Sequence, residues 1–322
     1  MISLLLAASL ALLPFCPAEA EGLYAHNRNN DILKVSFIDV KQGDSTLIEF
    51  PNGVNILIDG GKGYSSYSSF NAGAERVVPY LKKRGIKKID YIVMTHTDFD
   101  HIGGLVNVLD KFPVAHLVDT AFPGTGWFYE IILKMADKKD IKYHMVKAGD
   151  EIDIGDYRIT LEILGPNEVA PDEVETDLGK NNNSVVIKME FGKVSFLFTG
   201  DAELTEEDYL INTYGNSLRS TVYKVGHHGS NSSTSSTFMR MVKPEVAVIS
   251  VGKNNTYGHP SPDVIDLLEN YEVDVYRTDR DGDVMIETNG SNYSIITGDE
   301  IFAGLEAVSA SGGDTEEAKK KL

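Results

Sequence analysis

Cysteine is nearly missing from this chain, with Cys16 the only one in 322 residues. No intrachain disulfide can form and no thiolate cluster can hold a metal, so any metal must be bound by histidine and carboxylate. Positive charge is also scarce. Lys and Arg number 30 against 48 Asp and Glu, a formal charge of −18. So acidic a surface repels phosphate backbones and excludes DNA packaging on a broad basic face. It leaves room for phosphodiester chemistry wherever bound cations supply the positive charge locally. Long apolar runs are the third scarcity. The stretch at the start, MISLLLAASLALLPF, is too short to span a bilayer comfortably, and Ala18-Glu19-Ala20 after it suits signal-peptidase cleavage. Residues 1–20 are therefore expected to be a secretory signal, which makes the protein secreted or periplasmic with no membrane span after cleavage. An n-region without Lys or Arg keeps an uncleaved anchor as the alternative.

What is present reads as an ordinary globular domain, with 42% hydrophobic and 24% charged residues arguing against disorder. LKVSFIDV, STLIEF and NILIDGG are three β-rich runs separated by the turn sequences KQGD and PNG. AERVVPYLKKRG, GGLVNVLDKF and WFYEIILKMADKK have helical periodicity, with the apolar strands IDYIVMT and AHLVDT between them. A second strand set follows in YRITLEILGP, NSVVIKMEF and KVSFLFTGD, then further helices and the strands TVYKVG and EVAVISVG. Two β-meanders flanked by helices predict an α/β fold, a four-layer αββα sandwich with two sheets face to face and helices outside. The domain is expected over 21–302, with 303–322 a solvated tail. The acidic, proline-bearing segment LGPNEVAPDEVETDLGKNNN reads as a long loop, a common place for a lid.

Chemistry concentrates after the strand IDYIVM, where HTDFDH puts His96, Asp98, Asp100 and His101 within six positions. His96 and Asp98 are two apart and share a direction, while Asp100 and His101 address a neighbouring locus. Two divalent ions satisfy such a foursome, and imidazole with carboxylate suits zinc or manganese. Other donors also end apolar strands: Asp201 after SFLFTG, His227-His228 after VYKVG, and His259 in YGHP. His26, His116 and His144 have no such context and read as surface or packing residues. Two acidic turns are read as plain structure, GDS at 43–45 as a tight turn and DRDGD at 279–283 as lacking the full calcium-loop pattern.

HTDFDH resembles the H-x-[HD]-x-D-H signature of the metallo-β-lactamase fold superfamily, with Asp98 where many members have a second His. FIDVKQGDSTLIEFPNGVNILIDGG, NNNSVVIKMEFGKVSFLFTGDAE, KVGHHGSNSS and YGHPSP extend the likeness to the C-terminal domain of ComEC-type competence proteins and phosphorylcholine-esterase relatives, over roughly residues 33–300. The resemblance implies one metal held by His96, Asp98 and His227, another by Asp100, His101 and His259, and Asp201 between them. Members often carry a histidine ligand just before the position of Asn183-Ser184, and His227 is taken to fill that role. Asp59, after its own apolar strand, is read as a carboxylate that orients a ligand, and Asn183 as a substrate contact. Which of His227 and His228 binds metal stays open.

Function follows from that charge arrangement. Two divalent ions would activate a shared water without a side-chain nucleophile. Asp100 and Asp201 would hold or accept its proton, and His228 or Lys224 would stabilise the departing charge. The expected activity is an exported, metal-dependent phosphoesterase or phosphodiesterase, with nucleic acid among the substrates it could take although no basic surface is expected. The alternatives are an amide or thioester hydrolase of the same fold, and a metal-retaining, non-catalytic partner of a DNA-uptake or secretion system.

Overall fold

A computed structural model describes residues 31–64, 69–121, 126–167 and 177–303. The leader-like residues 1–20, the tail from 304 and the middle of the expected lid, 168–176, lie outside the described residues. Within them the four-layer reading holds: one sheet has eight strands, the other six.

The first sheet opens as a meander, β1 (Leu33–Phe37), β2 (Thr46–Glu49) and β3 (Asn55–Ile58), antiparallel throughout. It continues in parallel through β4 (Ile89–Val93), β5 (Val114–Asp119) and β6 (Lys142–Met145). The second sheet begins with β7 (Ile159–Gly165), β8 (Val186–Phe191) and β9 (Val194–Phe198), again antiparallel. It too turns parallel, through β10 (Val222–Lys224), β11 (Val246–Ile249) and β12 (Asp274–Arg277). The chain then returns to the first sheet, where β13 (Val284–Thr288) pairs with β1 and β14 (Tyr293–Thr297) forms the edge.

Strand period explains the layers. Val35, Phe37, Ile48, Ile56 and Ile58 meet Leu161, Ile163, Phe196, Phe198 and Val248 in the core between the sheets. Their neighbours Leu47 and Leu57 point the other way and pack under helices. Leu197, Tyr223, Ala247 and Ile249 do the same on the far side. Both faces of these strands are buried, which is why they read as continuous apolar runs rather than alternating ones.

On the first sheet's outer face lie α1 (Val78–Lys83), α2 (Phe99–Ile102), α3 (Leu105–Lys111) and α4 (Trp127–Lys138). The segment expected to be one helix from Ala74 begins instead as a π-helical turn, Gly73–Val77, before α1. The segment expected to be an uninterrupted loop before β8 contains α5 (Asp177–Asn181). The second sheet is covered by α6 (Leu204–Tyr214), α7 (Ser236–Val242) and α8 (Pro262–Asn270). Ser235, from the serine-rich stretch, caps α7 by accepting the Phe238 amide at 3.1 Å. The DRDGD acids, in the short α9 (Thr278–Asp281) and just past it, serve structure: the Asp279 carboxylate binds Arg277, and Asp283 accepts the Asp39 amide at 2.7 Å.

Candidate metal centre

The parallel strands β3, β4, β9 and β10 end on the same side, and each delivers a polar residue just past its last apolar position. These are Asp59, Thr95-His96, Asp201 and His227-His228. Carboxyl ends of parallel strands are where open α/β sheets gather ligands.

Asp59 is fully buried, and both its oxygens are engaged. The Thr95 amide donates to Oδ1 at 2.9 Å, the Thr95 hydroxyl donates to Oδ2 at 2.6 Å, and the His101 Nδ1–H donates to Oδ2 at 2.8 Å. With its proton committed to Asp59, the Thr95 oxygen accepts from His96 Nδ1 at 3.0 Å. The same logic runs through the other imidazoles. His228 Nδ1 faces the Ser250 carbonyl at 2.9 Å, an acceptor only, and His227 Nδ1 faces Glu203 at 3.0 Å. Four rings thus have Nδ1 committed as a donor, which leaves each Nε2 with a lone pair.

Those lone pairs converge on Asp201. Its Oδ2 lies 3.2 Å from His101 Nε2, 3.5 Å from His228 Nε2, 3.8 Å from His227 Nε2 and 3.9 Å from His96 Nε2. Asp98 lies 3.8 Å from His96 Nε2, and Asp100 lies 3.4 Å from His228 Nε2. The Nε2 atoms of His96, His101 and His228, Oδ1 of Asp201 and Nδ1 of His259 are buried without a hydrogen-bond partner among the described residues. Buried polar atoms are costly to leave unpaired, and a set of nitrogen and carboxylate oxygen donors aimed at one place fits divalent cations. Within this set, Asp201, His101, His228 and Asp44 offer donor atoms all within 4.8 Å of one another.

Local backbone explains the aim. Asp98 sits just before α2, so Asp100 and His101 project from a helical turn. His227 and His228 both have left-handed backbone, φ 46° and 54°, a strained pairing that splays their rings to 66° apart. Gly229 allows the close return of the His259 loop, since a Cβ there would lie 2.6 Å from Pro260. Gly43 lets the β1–β2 loop rest on α2, where a Cβ would fall 2.2 Å from the Asp100 carbonyl oxygen.

Electrostatics match the geometry. Burial disfavours a proton on His101, but Asp201 and Asp59 outweigh it and raise its pKa well above the ordinary value. Burial likewise opposes a proton on His228, and Asp201 and Asp44 push it up to about 10. Asp100 and Asp201 are held low against burial, mainly by His228 and His101. The cluster demands positive charge: protons supply it in the free protein, and cations replace them on binding. His259 differs. Burial, then His227 and His228, lower it to about 4, so it is neutral at pH 7. It stands half-buried at the rim, stacked on Tyr257 with ring centroids 5.7 Å apart and 5.6 Å from the His227 ring.

Three expectations are revised. Lys224, expected at the departing group, is 3% exposed and lies behind the site, with Nζ 2.8 Å from Asp44 Oδ2 and donating to the Val225 carbonyl at 2.9 Å. Asp44, read as a plain turn residue, approaches His228 Nδ1 at 3.2 Å with its other oxygen. Lys224 and His228 hold it down to about 2 although burial pushes the other way. Asn183, expected to touch substrate, turns its amide to the Gly179 carbonyl at 2.7 Å. Its neighbour Ser184 is the one at the centre, accepting the Asp201 amide at 3.1 Å and lying 3.5 Å from His96 Nδ1. The cation near the mouth is Lys180, 3.3 Å from Asp98. A strand-exit position would have pointed to Thr95; Ser184 lies before β8, and nothing local marks it or Lys180.

The sequence model of the metallo-beta-lactamase superfamily matches residues 38–253. ComE operon protein 3 of Bacillus subtilis is 37% identical over 261 residues, 78% of this chain and 32% of that protein. Recombination protein 2 of Haemophilus influenzae is 31% identical over 253 residues, 79% of this chain and 28% of that protein. The chain therefore spans about a third of the length of these relatives. Among solved structures, CmlA, a diiron beta-hydroxylase from Streptomyces venezuelae, shares the fold at a TM-score of 0.50 and 13% identity, covering 76% of this chain and 52% of CmlA. With a matched family model over most of the described residues and the strand-end donor cluster in place, this chain belongs to the metallo-beta-lactamase superfamily, whose members are in general metal-dependent hydrolases.

Proposed function

We propose that the protein hydrolyses phosphate esters, phosphodiesters first among them, with two divalent cations, Zn²⁺ or Mn²⁺, at the strand-end cluster. The observation that carries this reading is the convergence of four Nε2 lone pairs and three carboxylates, Asp98, Asp100 and Asp201, on one buried locus. His96, Asp98 and His227 would hold one ion and Asp100, His101 and His228 the other, with Asp201 between; His228, buried between Asp100 and Asp201, takes the place the resemblance gave to His259. Bound there, the ions would lower the pKa of a water and withdraw charge from a phosphoryl oxygen.

The chain's own groups do the rest. Asp59 and Thr95 fix the tautomers and directions of His101 and His96. Asp44, neutralised by Lys224, orients His228 from behind. His259, neutral and at the rim, is placed to hydrogen-bond a phosphoryl oxygen, and Lys180 adds positive charge at the mouth beside Asp98. The carboxylate share favours hard cations and phosphoryl oxygens over the softer sites that suit amide chemistry. Relatives named Recombination protein 2 and Competence protein ComA support a nucleic-acid phosphodiester as the substrate class.

The location is part of the same reading. Processing after Ala20 would place the enzyme outside the cytoplasm, and no helix among the described residues is long and apolar enough to cross a membrane. N-terminal sequencing of the exported protein tests that point. For the activity, the metal-loaded protein is assayed on bis-p-nitrophenyl phosphate, single-stranded DNA, p-nitrophenyl phosphocholine and nitrocefin. Turnover of the first two is expected; turnover of nitrocefin alone would overturn the reading.

A further inference from the structure

A second feature lies at the opposite end of the six-stranded sheet. A pocket of about 480 Å³ opens at the starts of β9, β10 and β11, lined among others by Lys193, Arg219 and Lys243. Ser195 at its wall stands at the start of β9, while Asp201 of the metal centre follows the other end of that strand. The two sites therefore share a sheet but no residue.

The pocket is basic on an acidic protein. Its walls carry four cations and two carboxylates, in a chain whose formal charge is −18. Lys188 is occupied, 2.6 Å from Glu190 and donating to the Ser217 carbonyl at 2.6 Å, and Glu245 accepts from the Tyr293 hydroxyl at 3.0 Å. Lys193, Arg219 and Lys243 are exposed and have no ion pair among the described residues. The cations still outnumber the carboxylates, and the excess positive charge favours an anion.

The hydroxyls beside these cations are set as donors. The Ser195 amide donates to Thr221 Oγ1 and the Thr221 amide donates to Ser195 Oγ, each at 3.2 Å. Both side-chain oxygens are used as acceptors in this reciprocal pair, so each hydroxyl proton remains to be given to a ligand. Three free cations, one of them a guanidinium fork, together with two hydroxyl donors match the oxygens of a phosphate group. The volume is that of a small-molecule site.

We propose that this pocket is a binding site for a small phosphorylated molecule of nucleotide size, separate from the metal centre and held by Lys193, Arg219 and Lys243 with the Ser195 and Thr221 hydroxyls. It does not rest on the activity proposed above.

The test uses the full chain stripped of metal by chelation, so that the metal centre contributes no phosphate affinity. Calorimetric titration with AMP and with inorganic phosphate at low ionic strength should show saturable binding. The Lys193→Gln, Arg219→Gln, Lys243→Gln triple variant should bind about ten-fold or more weakly, because charge-assisted contacts carry the affinity. The control variant Lys82→Gln with Lys87→Gln, on the other sheet's face, should bind as the wild type does. All the pocket substitutions are at exposed positions, and unchanged circular dichroism checks their fold. Absence of saturable binding, or equal binding by the triple variant, would overturn the proposal. So would cation-dependent binding of phosphatidylglycerol vesicles or single-stranded DNA without binding of AMP.

Discussion

Asp59 Oδ2 lies 2.8 Å from His101 Nδ1, and neither side chain has any solvent exposure. The carboxylate fixes the ring so that Nε2 points at Asp201, 3.2 Å away. Asp59→Ala should weaken divalent-cation binding by about 10- to 100-fold, the usual loss when such an outer partner is removed. Competition against a chromophoric chelator measures it. Wild-type affinity in the variant would show that the Asp59 contact is structural only.

The buried pair of Asp44 and Lys224, at 2.8 Å, is the second relationship with a measurable consequence. Removing one member strands the other's charge, so Lys224→Met should lose about 3–5 kcal/mol of stability in urea unfolding. Asp44→Leu combined with Lys224→Met should recover most of that loss yet still bind metal poorly, because His228 Nδ1 loses its contact with Asp44. Additive stability losses would contradict the pairing.

His228 and His259 are expected to separate in a metal assay. His228 Nε2 is buried between Asp100 and Asp201, whereas His259 stands at the rim. His228→Ala should cost bound metal measured by mass spectrometry. His259→Ala should retain it and lower turnover. The reverse pattern would return His259 to the ligand set.

Glu206 gives a pH dependence with no link to the metal. Burial alone raises its pKa to about 8, and its Oε1 has no partner among the described residues. In the unfolded chain the group ionises near 4.5, its ordinary value. Between these two values the unfolded state gains charge that the folded state cannot, so stability falls as pH rises from about 4.5 to about 8 and levels off above. Glu206→Gln should flatten that slope, with little effect at pH 4.5 and a higher melting temperature at pH 8. Parallel melting curves across this range would contradict it.

Much of the site was readable because its donors sit at the ends of apolar strands. His96, Asp201 and His228 each follow a run that can only be a buried β-strand, and the fold brings those ends together. Asp44 was not readable. Its short turn looks the same whether or not a lysine and a histidine some 180 positions later fold onto it, and only the tertiary contact gives it a role. Lys224 failed for the related reason that a strand-end lysine suggests an exposed cation until its counter-charge is known. In the fold, the meander and the parallel strands followed from period and turn residues. The pairing of β13 with β1 did not, because Val284 and Phe37 meet across nearly the whole chain and no local pattern encodes that register.

Side chains that follow β4, β9 and β10 are proposed to hold two cations on either side of Asp201. Anomalous diffraction from crystals of the Mn²⁺- or Zn²⁺-loaded protein tests it most directly. Two peaks are expected beside the Asp201 carboxylate, one near His96, Asp98 and His227 and one near Asp100, His101 and His228. Peaks elsewhere on the acidic surface, with none at this cluster, would contradict it.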